Sequence, residues 1–346
     1  KAGPHPWDGS SPLNPDFVIK RPLTLPNQSW QYTRYSIISD GALLELEAGS
    51  TDSLFVVERN PYGDKYGHYI LQGLFCIVEY DYRGYFLDLS QANVVSMRDT
   101  YISANGYYQN TGSRGINTTR NGNGVYMENV HVAAFDTNIR IYEDHVVLNR
   151  VSSFYHRKYG IHLETGYVDV TVINPHILDG YSASDSIGIR IHGYYGGQAL
   201  VLNPYFERIS LQDGQNDIGF HNINYWGAVV VNPEVPPNAT TPLKINVTGD
   251  VTKVRVISHR TQKYGTATFS GDGATASFTI PIPKDAIING ATGPLAPRRV
   301  RVTPMSPDAS GDFYARWDAD NIYIHYKTAP PAGTNNVVLF YEVDWL

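Results

Sequence analysis

The sequence predicts an all-β protein whose chain winds as a parallel β-coil and ends in antiparallel strands. The segments VTVINPHI, ALVLNPYF and AVVVNPEV begin at residues 170, 199 and 228, so one short motif recurs every 29 residues. A fixed period of this size indicates a repeating architecture. The composition agrees, because 31 Gly, 21 Pro and 26 Tyr with only 17% charged residues favour strands and turns over helices.

Each repeat is predicted to contain three short strands. In residues 188–217 they are GIRIH, ALVL and PYFERI, separated by the turn GYYGGQ and by Asn203, and followed by a polar loop. Alternate residues point inward, where Ile, Val, Leu and Phe fill the core. A chain that bends three times and returns to the same place stacks its coils in parallel, about 4.8 Å apart. The lack of a helical period argues against an α/β solenoid.

An Asn stands at one corner of most coils. The corner residue must leave the β region, and Asn tolerates the left-handed conformation while its amide can bond to the Asn above and below. We therefore predict a ladder of stacked side chains, with Asp99 as an early rung and Ser258 as the last. Its other members are Asn129, Asn149, Asn174, Asn203 and Asn232.

This coil with its Asn corner resembles the right-handed parallel β-helix of the pectate-lyase-like superfamily, a three-sheet solenoid. The stretch VIKRPLTLPNQSW…GALLELEAGS resembles the entry coils of β-helices in phage tailspikes and polysaccharide-degrading enzymes. The resemblance implies a polysaccharide depolymerase of the tailspike type. It further implies a homotrimer that is extracellular or part of a virion, on the phage tail.

We divide the chain into an N-terminal arm (1–16), a glycan-binding and catalytic β-helix (17–263) and a C-terminal antiparallel β-sandwich (264–346). The last boundary is set by GTATFSGDGATASFTIPIP, two alternating strands around a Gly-Asp-Gly turn, after which further hairpins follow. The sandwich resembles domains that follow β-helices in phage tail proteins, where it implies a cap, a trimer clamp or a sugar-binding module. The start at Lys1, without signal peptide or initiator Met, suggests a processed or truncated product.

One outward-facing column of the first sheet is rich in Arg and His. We align NIRIY, GIHLE, GIRIH and GFHNI with Ile139, Ile161, Ile189 and Phe220 pointing inward. The outward column then contains Asp88, Asn117, Arg140, His162, Arg190 and His221, with Tyr142, Glu164 and His192 beside it. Like charges about 5 Å apart repel unless an anion binds them or they are neutral. The resemblance places a substrate groove here, and the alternative is a solvated face with a neutral His ladder.

The candidate catalytic residues are His162, Glu164, Arg190 and His192, which occupy two successive coils. We expect Arg190 to lower the pKa of His162 and Glu164 to raise the pKa of His192. Two chemistries remain open at this point. In a uronate lyase, Arg190 or Arg140 would neutralise the substrate carboxylate, and His162, His192 or Tyr142 would transfer protons. A glycosidase needs two carboxyl groups, either Glu164 with Asp185 or, on the third sheet, Glu207 with Glu234.

Aromatic residues follow the first strand of several coils and can stack on sugar rings. The alternative for each is a structural stack between coils. The predicted substrate-binding residues are Arg140, Tyr142, Tyr167, Asp185, Tyr194, Tyr195, His221, Tyr225 and Trp226.

Several function classes are disfavoured by what the sequence contains. The net charge of -6 argues against a nucleic-acid partner, and no apolar run approaches the ~18 residues of a membrane span. We find no zinc-ligand spacing, no phosphate-binding Gly loop and no Asp cluster centred on the groove, so we expect no metal or other cofactor, leaving a bound Ca²⁺ open. A non-catalytic receptor-binding or structural phage spike remains the rival to a polysaccharide-cleaving enzyme.

Overall fold

A computed structural model describes residues 17–26, 34–46, 52–58, 67–78, 82–104, 112–118, 123–179, 186–208, 216–234, 243–257, 262–282, 286–290, 293–294, 297 and 299–344. The predicted N-terminal arm lies outside these ranges. Within them the protein is all-β, with two 3₁₀ turns at Val251–Lys253 and Pro307–Ala309. No helix in this part of the chain has the length and hydropathy to cross a membrane.

The winding part contains 24 strands. They are β1 (Phe17–Ile19), β2 (Leu23–Leu25), β3 (Arg34–Ile38), β4 (Leu43–Leu46), β5 (Phe55–Val57), β6 (His68–Gln72), β7 (Phe75–Val78), β8 (Tyr85–Asp88), β9 (Val94–Ala104), β10 (Arg114–Asn117), β11 (Gly124–Ala133), β12 (Thr137–Tyr142), β13 (His145–Asn149), β14 (Ser152–Phe154), β15 (Tyr159–Thr165), β16 (Val168–Ile173), β17 (His176–Asp179), β18 (Ile187–Gly193), β19 (Gly197–Leu202), β20 (Tyr205–Arg208), β21 (Asn216–His221), β22 (Trp226–Val231), β23 (Leu243–Val247) and β24 (Val254–Ile257).

These strands form a parallel β-solenoid. The first face is one sheet with the order β2-β5-β8-β10-β12-β15-β18-β21-β23. The second and third faces share another sheet, which bends at the Asn corner. The second face contains β13, β16, β19, β22 and β24, and the third contains β14, β17 and β20. The long strands β9 and β11 run through the corner, so the three predicted faces are connected as two hydrogen-bonded sheets.

The predicted ladder is confirmed for most of its rungs. Asp99, Asn129, Asn174, Asn203 and Asn232 all have left-handed φ angles between 47° and 54°. The Nδ2 atom of each bonded Asn donates to the Oδ1 of the rung before it, at 2.8 Å for Asn129 to Asp99, 3.0 Å for Asn203 to Asn174 and 3.2 Å for Asn232 to Asn203.

Asn149 is not a rung, which corrects the prediction. It lies inside β13 and pairs with Glu128 and Ile173, whereas the next residue, Arg150, has the corner φ of 53°. The ladder is therefore interrupted for one coil. The motif VVLNR places its Asn one residue earlier than the other coils do, and Ser258 lies outside the described residues.

The core lies between the three faces and follows the strict alternation of the strands. On the second face, Val170, Val172, Ala199 and Val201 point inward and are at most 1% exposed. The first face contributes Ile139, Ile161 and Ile189 with their neighbours two residues on, all fully buried. Alternate residues of each strand point into the core or out to solvent, so only the outward residues can form a binding site.

The C-terminal strands are β25 (Gln262–Gly271), β26 (Ser277–Pro281), β27 (Ala286–Gly290), β28 (Gly293–Pro294), β29 (Arg299–Pro304), β30 (Phe313–Trp317), β31 (Asn321–Tyr326) and β32 (Gly333–Asp344). Two three-stranded antiparallel sheets, β25-β32-β29 and β26-β31-β30, enclose a separate apolar core. The hairpin predicted around the Gly-Asp-Gly turn is not formed, because β25 and β26 lie in different sheets. β27 pairs in parallel with β23 and extends the first face, with β28 on its outer edge. This pair covers an edge that would otherwise be open to association.

We predict that Asn203→Leu lowers the free energy of unfolding by about 3 kcal/mol. The substitution removes two amide hydrogen bonds and forces a branched apolar side chain into the left-handed region. Urea or thermal unfolding followed by circular dichroism measures the change.

The matched control is Asn149→Leu. It changes the same residue type two coils away, but at an outward position within a strand. We expect its effect to stay within about 0.5 kcal/mol. Equal destabilisation by both substitutions would contradict a specific role of the ladder.

Candidate functional site

The first face carries the predicted column in the predicted register over five coils. Asp88 pairs with Asn117, Asn117 with Arg140, Arg140 with His162, and His162 with Arg190. Beside it, Tyr142, Glu164 and His192 form the second predicted column. The hydrophobic alternation of the strands thus brings the four candidate catalytic residues onto one surface of two adjacent coils.

His221 lies two residues away from where the alignment put it. Gly219, not His221, pairs with Arg190, and His221 pairs with His192. A shift of two residues leaves inward and outward positions unchanged, so alternation alone does not detect it. The ring still leans over Gly219, because a Cβ there would lie 3.1 Å from Nε2 of His221. The absence of a side chain at Gly219 leaves the space that this imidazole uses.

The centre of the site is a chain of charged and polar contacts around His162. Its Nε2 lies 3.1 Å from Oε1 of Glu164 and 3.2 Å from Nη1 of Arg190. Glu164 also accepts from Nη2 of Arg140 at 3.2 Å, and Nη1 of Arg190 donates to the hydroxyl of Tyr159 at 3.2 Å. Nε2 of His162 cannot donate to Glu164 and accept from Arg190 at once, so the tautomer selects one of the two contacts.

These contacts keep Glu164 ionised. The hydrogen bond from His162 and the charge of Arg140 lower the pKa of Glu164 to about 2, against the opposing effect of burial. For His162, burial lowers the pKa, and the hydrogen bond with Glu164 only partly offsets this. The carboxylate is therefore an anchor for its neighbours rather than a source of protons near neutral pH.

His192 and His221 are both neutral at neutral pH. Burial, followed by the charge of Arg190, lowers the pKa of His192 in spite of Glu164, so the prediction of a raised pKa is wrong. The error arose because sequence register shows which charges are close but not how much water is excluded. Burial, with Arg190 next, lowers the pKa of His221 to about 4.

Arg190 has no acidic partner in the part of the chain that the structure describes. Its guanidinium contacts Tyr159 and His162, and its Nε atom is buried without a hydrogen-bond partner. The Cζ atom lies 5.0 Å from the centroid of the Tyr159 ring. A partly buried guanidinium without an acidic partner in the described residues is a favourable site for an anion, because a carboxylate there would form charge-assisted hydrogen bonds with it.

A row of tyrosines follows the ends of the first-face strands, which we call the tyrosine rim (Tyr142, Tyr167, Tyr194, Tyr195 and Tyr225). Tyr167 and Tyr225 are 64% and 70% exposed. Tyr167 and Tyr195 lie with ring centroids 5.3 Å apart, and Tyr194 packs on His192 at 4.6 Å. The rim therefore offers several open ring faces next to the charged centre.

Trp226 does not belong to this rim, which corrects the prediction. It is 2% exposed and packs edge-on against Phe220, and its indole nitrogen donates to the carbonyl of Asn222 at 2.9 Å. Trp226 occupies the first inward position of β22, so its ring fills the core. Asp185, predicted as a substrate-binding residue, lies outside the described residues.

The opposite edge of the first face carries a second rim. We call it the basic rim (Arg114 and Lys158), and it lies at the beginning of the first-face strands, opposite the tyrosine rim. Arg114 stacks over the Tyr85 ring at 4.5 Å, and Nζ of Lys158 lies 5.4 Å from the centroid of Tyr159.

The alternative carboxyl pair lies on the third face, as the sequence predicts. Glu234 pairs with Tyr205, which lies two residues before Glu207. Oε2 of Glu207 lies 3.0 Å from Nε2 of His176. The surrounding surface is a stack of rings that includes His131, His176 and Tyr205. These rings pack against each other, so this face presents ring edges.

Within the described ranges, no three His, Cys, Asp or Glu side chains are grouped so that they could hold a metal ion.

The sequence matches no protein-family profile and no curated protein sequence. Solved structures that resemble this chain include the tailspike gp61 of Pseudomonas phage phi297, with a TM-score of 0.43 and 10% identity over 90% of this chain. The chain spans 60% of the length of that tailspike.

Another is the tailspike protein gp49 from Pseudomonas phage LKA1, with a TM-score of 0.22 and 9% identity. That match covers 94% of this chain and 91% of the other. The fold of the protein rests on its own strand pairing, and its candidate activity rests on the site described above.

We predict that acid destabilises the fold partly through His221. Its pKa is lowered from the ordinary 6.5 to about 4, so the unfolded chain takes up the proton first. The stability contributed by the neutral ring is therefore complete above pH 6.5 and is lost as the pH falls toward 4. Wild-type protein should melt at a lower temperature at about pH 5 than at about pH 7, and His221→Gln should reduce that difference. An unchanged difference in melting temperature would contradict the assignment.

Proposed function

We propose that this protein binds an acidic polysaccharide along its first face and cleaves it by β-elimination next to a uronic acid. The observation that carries the proposal is the partly buried guanidinium of Arg190, which has no acidic partner in the described residues, beside the neutral imidazole of His192. The first group can hold a carboxylate and stabilise the charge that develops when the neighbouring carbon loses its proton. The second is in the protonation state that a base requires.

The charges at the centre favour elimination over hydrolysis. A glycosidase needs one protonated carboxyl group as acid, but Glu164 is paired with His162 and Arg140 and has a pKa of about 2. Its sequence-predicted partner Asp185 lies outside the described residues. An eliminating enzyme needs no carboxyl pair, and the Arg and His side chains of this face supply the groups that it does need.

We assign roles as follows. Arg190 binds the carboxylate of the reacting uronate, and His192 removes the proton beside that carboxylate. Tyr142, on the same side of the groove, donates a proton to the leaving oxygen. Glu164 positions His162 and Arg140, because it contacts both. The tyrosine rim stacks on sugar rings on either side of the bond that breaks.

We predict that Arg190→Ala and His192→Ala each lower turnover at least about a hundredfold, the effect of losing a charge-stabilising group or a base. Both residues are outward-facing, so the melting temperature should change little. The assay incubates the protein with a panel of uronate-containing and neutral polysaccharides. Ultraviolet absorbance of the unsaturated product reports elimination, and new reducing ends report either chemistry.

Glu207→Gln is the matched control, because it removes a carboxylate from the third face, and turnover should stay near that of the wild type. Activity that is lost with Glu207→Gln or Glu234→Gln and kept with Arg190→Ala would move the site to the third face. Reducing ends without ultraviolet absorbance would make the protein a hydrolase. Binding without any cleavage across the panel would favour a receptor-binding spike.

We further propose that the protein is a homotrimer located on a phage tail, as its resemblance to tail β-helices implies. The second face supports self-association. Each of β13, β16, β19, β22 and β24 has two outward positions nearest the Asn corner. Seven of these ten positions are apolar, namely Val147, Ile173, Leu200, Leu202, Val229, Val231 and Ile257. We call this surface the apolar face. It runs parallel to the solenoid axis, so copies that pack through it stand side by side, and a contiguous apolar surface of this kind is typical of an interface.

We predict a mass near three times 38.6 kDa in light scattering at micromolar concentration. The double substitution Leu200→Asp and Val229→Asp should shift the protein toward the monomer, because it places two charges in the middle of the apolar face. Gln198→Asp, at the exposed margin of the same sheet, is the control and should leave the mass unchanged. A wild-type monomer would contradict the trimer.

A further inference from the structure

We propose that the basic rim is a second anion-binding subsite, which binds an acid group on a sugar that is not being cleaved. This subsite rests on the proposed function in one respect, namely that a glycan lies along the first face. The subsite adds a property of the substrate, which must carry acid groups on more than one of the sugars that contact the first face. Neither Arg114 nor Lys158 takes part in the chemistry assigned to Arg190 and His192.

Arg114 is a half-buried guanidinium without an acidic partner in the described residues. Its Nη1 donates to Oδ1 of Asn117 at 3.1 Å, and Asn117 in turn donates to Oδ1 of Asp88 at 3.3 Å. Asn117 is 1% exposed, so this support is fixed by the fold. One face of the guanidinium covers the Tyr85 ring. The contacts orient Arg114 while leaving most of its five donors unused.

The surroundings of Arg114 favour an anion. Burial and the nearby charge of Arg140 both lower the pKa of Arg114, against weaker opposing effects of Tyr85, Glu164 and Asp136. The guanidinium remains protonated in spite of this. An anion placed there would therefore relieve an unfavourable interaction between cations as well as form charge-assisted hydrogen bonds.

Lys158 connects this subsite to the catalytic centre. Its Nζ and the Cζ of Arg190 lie 5.4 and 5.0 Å from the centroid of the same ring, that of Tyr159. Arg114 pairs in register with Thr137 and Thr137 with Tyr159, so Arg114 lies two coils, about 10 Å, from Tyr159 along the solenoid axis. That distance exceeds the width of a single sugar ring, so the acid group bound by Arg114 belongs to another sugar of the chain.

The two rims then orient the glycan across the groove. Acid groups face the basic rim at the strand starts, and the apolar ring faces stack on the tyrosine rim at the strand ends. A neutral polysaccharide would satisfy the tyrosine rim alone. The arrangement therefore selects against neutral glycans as well as in favour of polyanionic ones.

The chain provides a matched control for this subsite. Arg157 precedes Lys158 in sequence, but its Nη1 lies 3.2 Å from Oδ1 of Asp136, which neutralises it. Removal of the Arg157 charge alters the net charge of the protein as much as removal of the Arg114 charge does. Only the unpaired cations should matter for binding.

The test is affinity electrophoresis of the full chain, carrying His192→Ala to prevent cleavage, in native gels that contain polygalacturonate, alginate, hyaluronan, heparin or dextran. We expect retardation by at least one polyanion and none by dextran. Arg114→Gln and Lys158→Gln should each weaken the apparent affinity about tenfold, as expected for one lost charge-assisted hydrogen bond, and Arg157→Gln should not. Raised salt should reduce the difference between Arg114→Gln and its parent.

Retardation by none of the four polyanions would overturn the proposal, and so would an equal loss of affinity with Arg157→Gln. Melting temperatures of all variants exclude a loss of fold as the cause. The outcome is separate from that of the proposed cleavage. Product formation is measured in chains that retain His192. Polyanion binding through Arg114 without product formation would support this subsite and refute the lyase. Product formation that is insensitive to Arg114→Gln would support the lyase and refute this subsite.

Discussion

The structure depends above all on in-register parallel pairing between successive coils. Each backbone hydrogen-bond ladder places a residue about 4.8 Å from its equivalent in the next coil, so any side-chain type that recurs at one position becomes a column. Asn203 bonds to the rungs on both sides for this reason, and His162 lies between Arg140 and Arg190 for the same reason. The three faces therefore differ in chemistry because their columns differ.

Stacked like charges are costly, and the first face shows how this protein manages the cost. Glu164 pairs with both His162 and Arg140, which neutralises one part of the column. Burial keeps the imidazoles of His192 and His221 neutral, so they add no positive charge. What remains are cations without acidic partners in the described residues, Arg190 and Arg114. Stability would be served by pairing or removing them, so their retention fits a surface built to bind an anionic ligand.

The functions that we propose are separated by face. The first face has ionisable columns between two rims, the second has an apolar surface, and the third has a stack of packed rings. Such a division follows from the solenoid, because each face contributes one strand to every coil and can vary without disturbing the core. A ligand on the first face and a second copy on the second face can be bound at the same time.

The sequence by itself determined the fold, five rungs of the ladder and the column from Asp88 to Arg190, because a period of 29 residues and strict alternation specify which residues stack and which point outward. It did not determine how deeply a side chain is buried, nor whether the register of a strand is shifted by two residues. Trp226 was placed on a rim although it fills the core, and His221 was aligned with Arg190 although it pairs with His192. The lowered pKa of His192 and the unpaired state of Arg114 were decided only by the tertiary structure, since both depend on how neighbouring coils exclude water and supply or withhold a counter-charge.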